Sequence, residues 1–184
     1  MPWTSEMTAM RTDECYAVGR RPPHRGARIL RRVIRLVVVG RPRGPLREAA
    51  ADYEGRLARV LRLEVVEVRD EALRNGTAAE ARERERRRIE PHLAGCHVVC
   101  LDREGRMCSS EELAVLVRER EERPPQRTAF VVGGACGLAP ALLRAAPERL
   151  SLGPATLPHQ LARVVLAEQL YRATTILRGE PYHR

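Results

Sequence analysis

The chain has 184 residues, enough for one domain with a substantial core and some spare length. All 33 basic residues are arginine, against 24 acidic ones, and the net charge of +9 suits a polyanionic partner such as RNA. Five cysteines, an odd number without framework spacing, favour a reduced, cytoplasmic protein over a disulfide scaffold. No apolar run approaches the ~18 residues of a membrane helix, so no membrane partner is expected. Arginine and alanine enrichment is also what a GC-rich genome produces. Charge alone therefore does not establish RNA binding.

Residues 1–32 have a scattered Pro/Gly/Arg composition with no sustained period, and they read as a disordered or misassigned extension ahead of a domain at 33–184. Glu6, Asp13 and Glu14 argue against an organelle transit peptide. Val33 to Val39 is a β-branched run ended by Gly40, which predicts a buried first strand. After the Arg41–Pro45 loop, Leu46 to Leu61 shows helical spacing, and Leu63 to Val68 reads as a second strand. Thr77 can cap a charged helix running to about Leu93, whose Glu80–Arg84 and Glu83–Arg87 pairs suit a solvated face. His97 to Leu101 is a third strand, followed by a polar turn at Asp102 to Gly105. Ser109 or Ser110 caps a helix to Glu122, and Thr128 to Val132 is a fourth strand. Leu138 to Ala146 is a short helix, and Leu150 and Leu152 mark a buried fifth strand. A turn at Gly153 and Pro154 leads to a long helix, His159 to Arg178, with Thr156 as its expected cap. Strands alternating with helices through short loops predict an α/β fold with a mostly parallel sheet covered on both faces.

The last helix carries two apolar rows. Leu166, Leu170, Ala173 and Leu177 form one, and Leu161, Val164 and Val165 form another on a different face. Two rows suggest burial on two sides, by the helix's own sheet and by a second subunit in a homodimer.

Three clusters invite chemistry. Gly133-Gly134-x-x-Gly137 follows a strand, where glycines let backbone approach a ligand and leave amides free to bind it. A nicotinamide fingerprint would need G-x-G-x-x-G and an acid ending the next strand, but that strand ends Leu152-Gly153. The cysteines and histidines from His92 to Cys108 suggest a metal. Zinc needs four ligand atoms at about 2.0–2.3 Å, whereas Cys96 and Cys100 on one strand lie ~13 Å apart along it. Buried structural thiols and no metal are expected. The tail Pro181-Tyr182-His183-Arg184 offers a stacking ring, an imidazole and a phosphate fork together. His159, at a helix start that disfavours its charged form, reads as structural or loop-orienting.

The run T-L-P-H-x-L-x-R-V-x-L-x-E-Q-L-Y-R-A from Thr156, with the closing P-Y-H-R, closely resembles the RlmH family. The likeness extends over roughly Ile34 to Arg184. Members are bacterial methyltransferases of the SPOUT class, which modify N3 of a pseudouridine in large-subunit (23S) ribosomal RNA with S-adenosyl-L-methionine. The resemblance implies a SPOUT-type α/β knot, with a deep trefoil knot near the C-terminus. Carried over by position, it implies a cofactor site at Leu101, Gly133 and the segment Leu152, Gly153, Pro154, Ala155, Thr156 and Leu157. It also turns Tyr182, His183 and Arg184 toward RNA, with the ribosome as partner and His183 as the candidate for removing the N3 proton. Gly153-Pro154-Ala155 stands where relatives carry more polar residues, so backbone rather than side-chain contacts are expected there. A SPOUT-like enzyme for another RNA and a non-catalytic ribosome-binding protein are the alternatives, which cofactor binding and target mapping separate.

Overall fold

Strands and helices alternate along the chain, as the periodicity predicts. They are β1 (Leu30–Val39), α1 (Pro45–Ala58), β2 (Leu61–Val68), α2 (Ala78–Ile89), β3 (His97–Met107) and α3 (Ser110–Glu122). These are followed by β4 (Arg127–Val132), α4 (Pro140–Ala145), β5 (Glu148–Ser151) and α5 (His159–Arg178). The structure is a computed structural model, which describes residues 30–71, 76–122, 125 and 127–183. The expected extension falls almost wholly outside the described residues, but β1 reaches back to Leu30 and pairs there with Leu61.

All strand pairings are parallel, in the order β2-β1-β4-β3-β5. Alternation along β1 sorts the core into two layers, because successive strand side chains point to opposite faces. Ile34, Leu36 and Val38 pack with Leu57 of α1, Leu113 of α3 and Leu166 and Leu170 of α5. Val37 and Val39 pack with Ile89 of α2 and Leu142 of α4. Both faces are therefore covered, and the strand ends that carry the loops all open on one edge. The strand β5 lies outside β3, while α5 packs between α1 and α3. The connection between them must cross the end of β3.

Local chemistry accounts for most element ends. Thr77 and Glu80 close a capping box on α2, and Pro91 ends that helix in a short 3-10 turn, Glu90–His92. Ser109 caps α3, its Oγ accepting from Glu112 N while Glu112 Oε2 accepts from Ser109 N. Gly179 stops α5 in the left-handed region, with Glu180 N donating to Thr175 O at 2.9 Å.

Two expectations need correction. Thr156 does not cap α5: the N-cap is Pro158 and no side chain caps it, because Thr156 lies too far upstream. The polar turn at Asp102–Gly105 is an outward excursion within β3, since both Leu101 and Arg106 pair with Leu150. Gly105 is needed there, as a Cβ would lie 2.7 Å from the Leu150 carbonyl carbon. Cys100 is fully buried, and burial pushes its thiol up to about 12, as for a structural cysteine. No helix among the described residues is long and apolar enough to cross a membrane.

Candidate functional site

Ligands of open parallel sheets bind outside the carboxyl ends of the strands. There the ends of β3, β4 and β5 surround a cleft of about 520 Å³, a size suited to a small-molecule ligand. Leu101, Asp102 and Arg103 form one wall, Val132 to Ala135 with Gly137 a second, and Leu150 to Gly153 a third. Ala155 to Pro158, His159 and Ala162 complete it. The structure thus brings Leu101, Gly133, Leu152, Gly153, Ala155, Thr156 and Leu157 together, whereas Pro154 is exposed and does not line the cleft. Aliphatic walls around glycine-rich backbone suit a flat heterocycle held by main-chain groups. Asp102, 3.4 Å from Arg149, is the one carboxylate among the described residues of the lining.

The glycine loop is closed by its own backbone, with Gly137 N donating to Gly134 O at 3.0 Å and Gly137 at φ 77°. Gly133 is also required by the loop's own packing. A Cβ there would sit 2.8 Å from the Gly137 carbonyl carbon and 3.0 Å from Leu138. Gly133→Val therefore distorts the loop itself.

Behind the loop lies a feature that a reading of α2 as a solvated face misses. A Cβ on Gly134 would lie 2.8 Å from Glu85 Oε1, and Arg82 Nη1 donates to Cys136 O at 3.3 Å. Glu85 is 3% exposed, and its Oε1 accepts from Glu71 N at 3.0 Å. No donor among the described residues reaches Oε2. Burial raises the carboxyl above the ordinary 4.5, helped by the nearby Asp70 and Glu71 charges. The signal was present in the sequence: Ala81, Glu85 and Ile89 fall at helical spacing, and all three are buried. A raised value adds stability while the acid is protonated, below about 4.5, and this is lost as pH rises through the folded-state value. Glu85→Gln is expected to melt higher than the parent chain at neutral pH, with a smaller gap near pH 4. Thermal melts of both proteins across that range check it.

His159 begins α5 beside the first strand's end, its Nε2 3.2 Å from where a Gly40 Cβ would sit. It joins the cleft to the β1–α1 loop, as a loop-orienting residue would. The tail is elsewhere. Tyr182 packs on α5, 4.9 Å centroid to centroid from Tyr171, under the Arg172 guanidinium at 5.1 Å, and donates to Glu168 Oε1 at 3.3 Å. Burial, the hydrogen bond with Tyr53 and the Glu168 charge raise its phenol above the usual 10. Glu168 lies about 13 Å along the helix from His159, so this ring is anchored away from the cleft of its own chain. The His183 side chain and Arg184 lie outside the described residues. Among those residues no three His, Cys, Asp or Glu side chains gather as metal ligands would.

A family model described as predicted SPOUT methyltransferase matches residues 33–183. The chain belongs to the SPOUT methyltransferase family. Curated relatives within it include ribosomal RNA large subunit methyltransferase H of Gemmatimonas aurantiaca, 49% identical over 153 residues, covering 82% of this chain and 99% of that protein. The protein of the same name from Rubrobacter xylanophilus is 49% identical over 154 residues, covering 80% and 96%. Among solved structures, a probable methylase family protein from Haemophilus influenzae Rd KW20 superposes with a TM-score of 0.52 at 17% identity, covering 82% of this chain and 70% of the other. That likeness concerns fold alone. In this SPOUT methyltransferase the cleft draws its walls from three separate strand ends.

Proposed function

We propose that this protein uses S-adenosyl-L-methionine to methylate 23S ribosomal RNA in the cytoplasm, at N3 of a pseudouridine. The observation that carries the reading is the cleft joining Leu101, Gly133, Leu152, Gly153 and Ala155–Leu157, in a chain of which 82% matches nearly the whole of a relative named for ribosomal RNA methylation. Leu101, Leu152 and Leu157 would hold the adenine, with backbone groups of the glycine loop and of the 152–157 segment reading its edge. The cofactor supplies an already activated methyl group, so the protein's work is to position the reactants and exclude water. Held by these groups, the cofactor would supply its methyl group to N3 and be released as S-adenosylhomocysteine. The N3 proton must go to a base, and the His183 imidazole is the proposed one, with Tyr182 and Arg184 contributing to RNA binding. Tyr182 would have to leave its place on α5 before it could stack on a base. Ribosomes from a strain lacking the gene, incubated with the protein and methyl-labelled cofactor, should gain one label in 23S RNA. No label, or label in another RNA, refutes the assignment.

The working unit is proposed to be a homodimer formed through α5. The row of Leu166, Leu170 and Ala173 is buried within the chain, whereas Leu161, Val164 and Val165 remain half-buried and available to a second copy. Leu170 therefore tests folding, since it is fully buried in the chain's own core. Val164→Glu tests assembly, and it is expected to yield a folded monomer by light scattering. A wild-type chain that is monomeric at micromolar concentration sinks the dimer.

A further inference from the structure

We infer that the β1–α1 loop and the cavity beside it grip the phosphate backbone of the RNA next to the nucleotide that enters the cleft. This rests on the RNA methyltransferase reading and adds a second contact surface to it. The cavity, about 430 Å³, is bordered by Arg41, Arg47, Glu54, Glu67 and Arg163. Its acids are already engaged. Glu54 holds Arg163 through both oxygens, at 2.7 and 3.1 Å, while Glu67 accepts from Arg163 at 2.8 Å and pairs with Arg41 at 2.7 Å. Arg43 and Arg47 are exposed, and neither has a carboxylate partner among the described residues.

Pairing, more than charge, sets this loop apart from α2. The arginines of α2 are more numerous, but Arg84 and Arg88 are bound to Glu71, and Arg86 and Arg87 to Glu83. A guanidinium with its fork free can take a phosphate bidentately, whereas a paired one must first surrender its carboxylate. The loop is also stiff. Pro42, Pro45 and the bond from Arg47 N to Gly44 O at 2.9 Å hold it, so little conformational freedom is lost on binding. Its position suits the task as well. Gly40, just before the loop, lies against His159 on the cleft wall, and Gly40 N bonds to Val68 O at the same sheet edge. RNA whose target base enters the cleft would have its adjoining backbone beside Arg43 and Arg47.

The test is the full-length Arg43→Ala/Arg47→Ala protein, measured for binding to large ribosomal subunits across a salt series and for S-adenosylmethionine affinity. Two lost phosphate contacts should flatten the plot of log affinity against log salt by about 1.4. Cofactor affinity, melting temperature and oligomeric state should not change. Arg43→Lys/Arg47→Lys, which keeps the charge, should recover most of the slope. An unchanged slope in the folded Ala variant overturns the inference. Conversion to monomers would assign the loop to a contact between copies, and lost cofactor affinity would assign it to the cleft, and either result overturns it too. A wild-type protein that binds no ribosomal subunits fails earlier, and the methyltransferase reading fails with it.

Discussion

Ending the chain after Tyr182 is expected to leave S-adenosylmethionine affinity nearly unchanged while methyl transfer to ribosomes collapses. Stopping there keeps the Tyr182 ring on Tyr171 and Arg172, so the packing of α5 is preserved. The described residues that line the cleft run from Leu101 to Ala162, all ahead of the tail, which is why cofactor affinity is expected to hold. His183→Ala alone should lower turnover by about 10²–10⁴-fold if the imidazole takes the N3 proton. A loss near tenfold, about 1.4 kcal/mol, would assign His183 to positioning instead. Arg184→Ala should weaken ribosome binding and flatten its salt dependence by about one contact. Full activity in the shortened chain would refute any role for the tail.

Arg163→Ala should cause the largest loss of stability. Arg163 is 6% exposed and ties α5 to Glu54 of α1 and Glu67 of β2 through three hydrogen bonds. Removing one partner of a buried pair strands the other charge, which costs about 3–5 kcal/mol. For a domain of this size that lowers Tm by about 6–20 °C. Burial alone would raise the Glu67 carboxyl, but Arg163 and Arg41 hold it below the ordinary 4.5. Its contribution is present above 4.5 and lost as pH falls through the lowered value. The gap between parent and variant should therefore narrow in acid. A variant that melts within a degree or two of the parent at pH 7 would show that the network carries no stability.

The periodicities that announce strands and helices are local, two residues in a strand and 3.6 in a helix, so the elements could be read along the chain. Val33–Val39 lies within β1, Thr77 caps α2 as expected, and the His159–Arg178 helix has its expected bounds. The T-L-P-H and P-Y-H-R runs carried the family likeness, because motif residues keep their spacing whatever surrounds them. They could not show which segments meet. Leu101, Gly133 and Leu152–Leu157 were brought together by resemblance, since closeness across three strand ends leaves no trace in a one-dimensional pattern.

The sequence by itself determined the alternation of strands and helices, the capping of α2 and the membership of the family. Tertiary structure decided what depends on non-local neighbours. The strand order β2-β1-β4-β3-β5 follows from which edges pair, and the excursion of β3 shows only in the pairing of both Leu101 and Arg106 with Leu150. Gly133 is required by Gly137 and Leu138, and Glu85 is buried because α2 lays it beneath Gly134. Tyr182 is an anchor because Tyr171 and Arg172 lie beside it on α5. In each case a side chain's environment comes from residues far along the chain, and only folding supplies them.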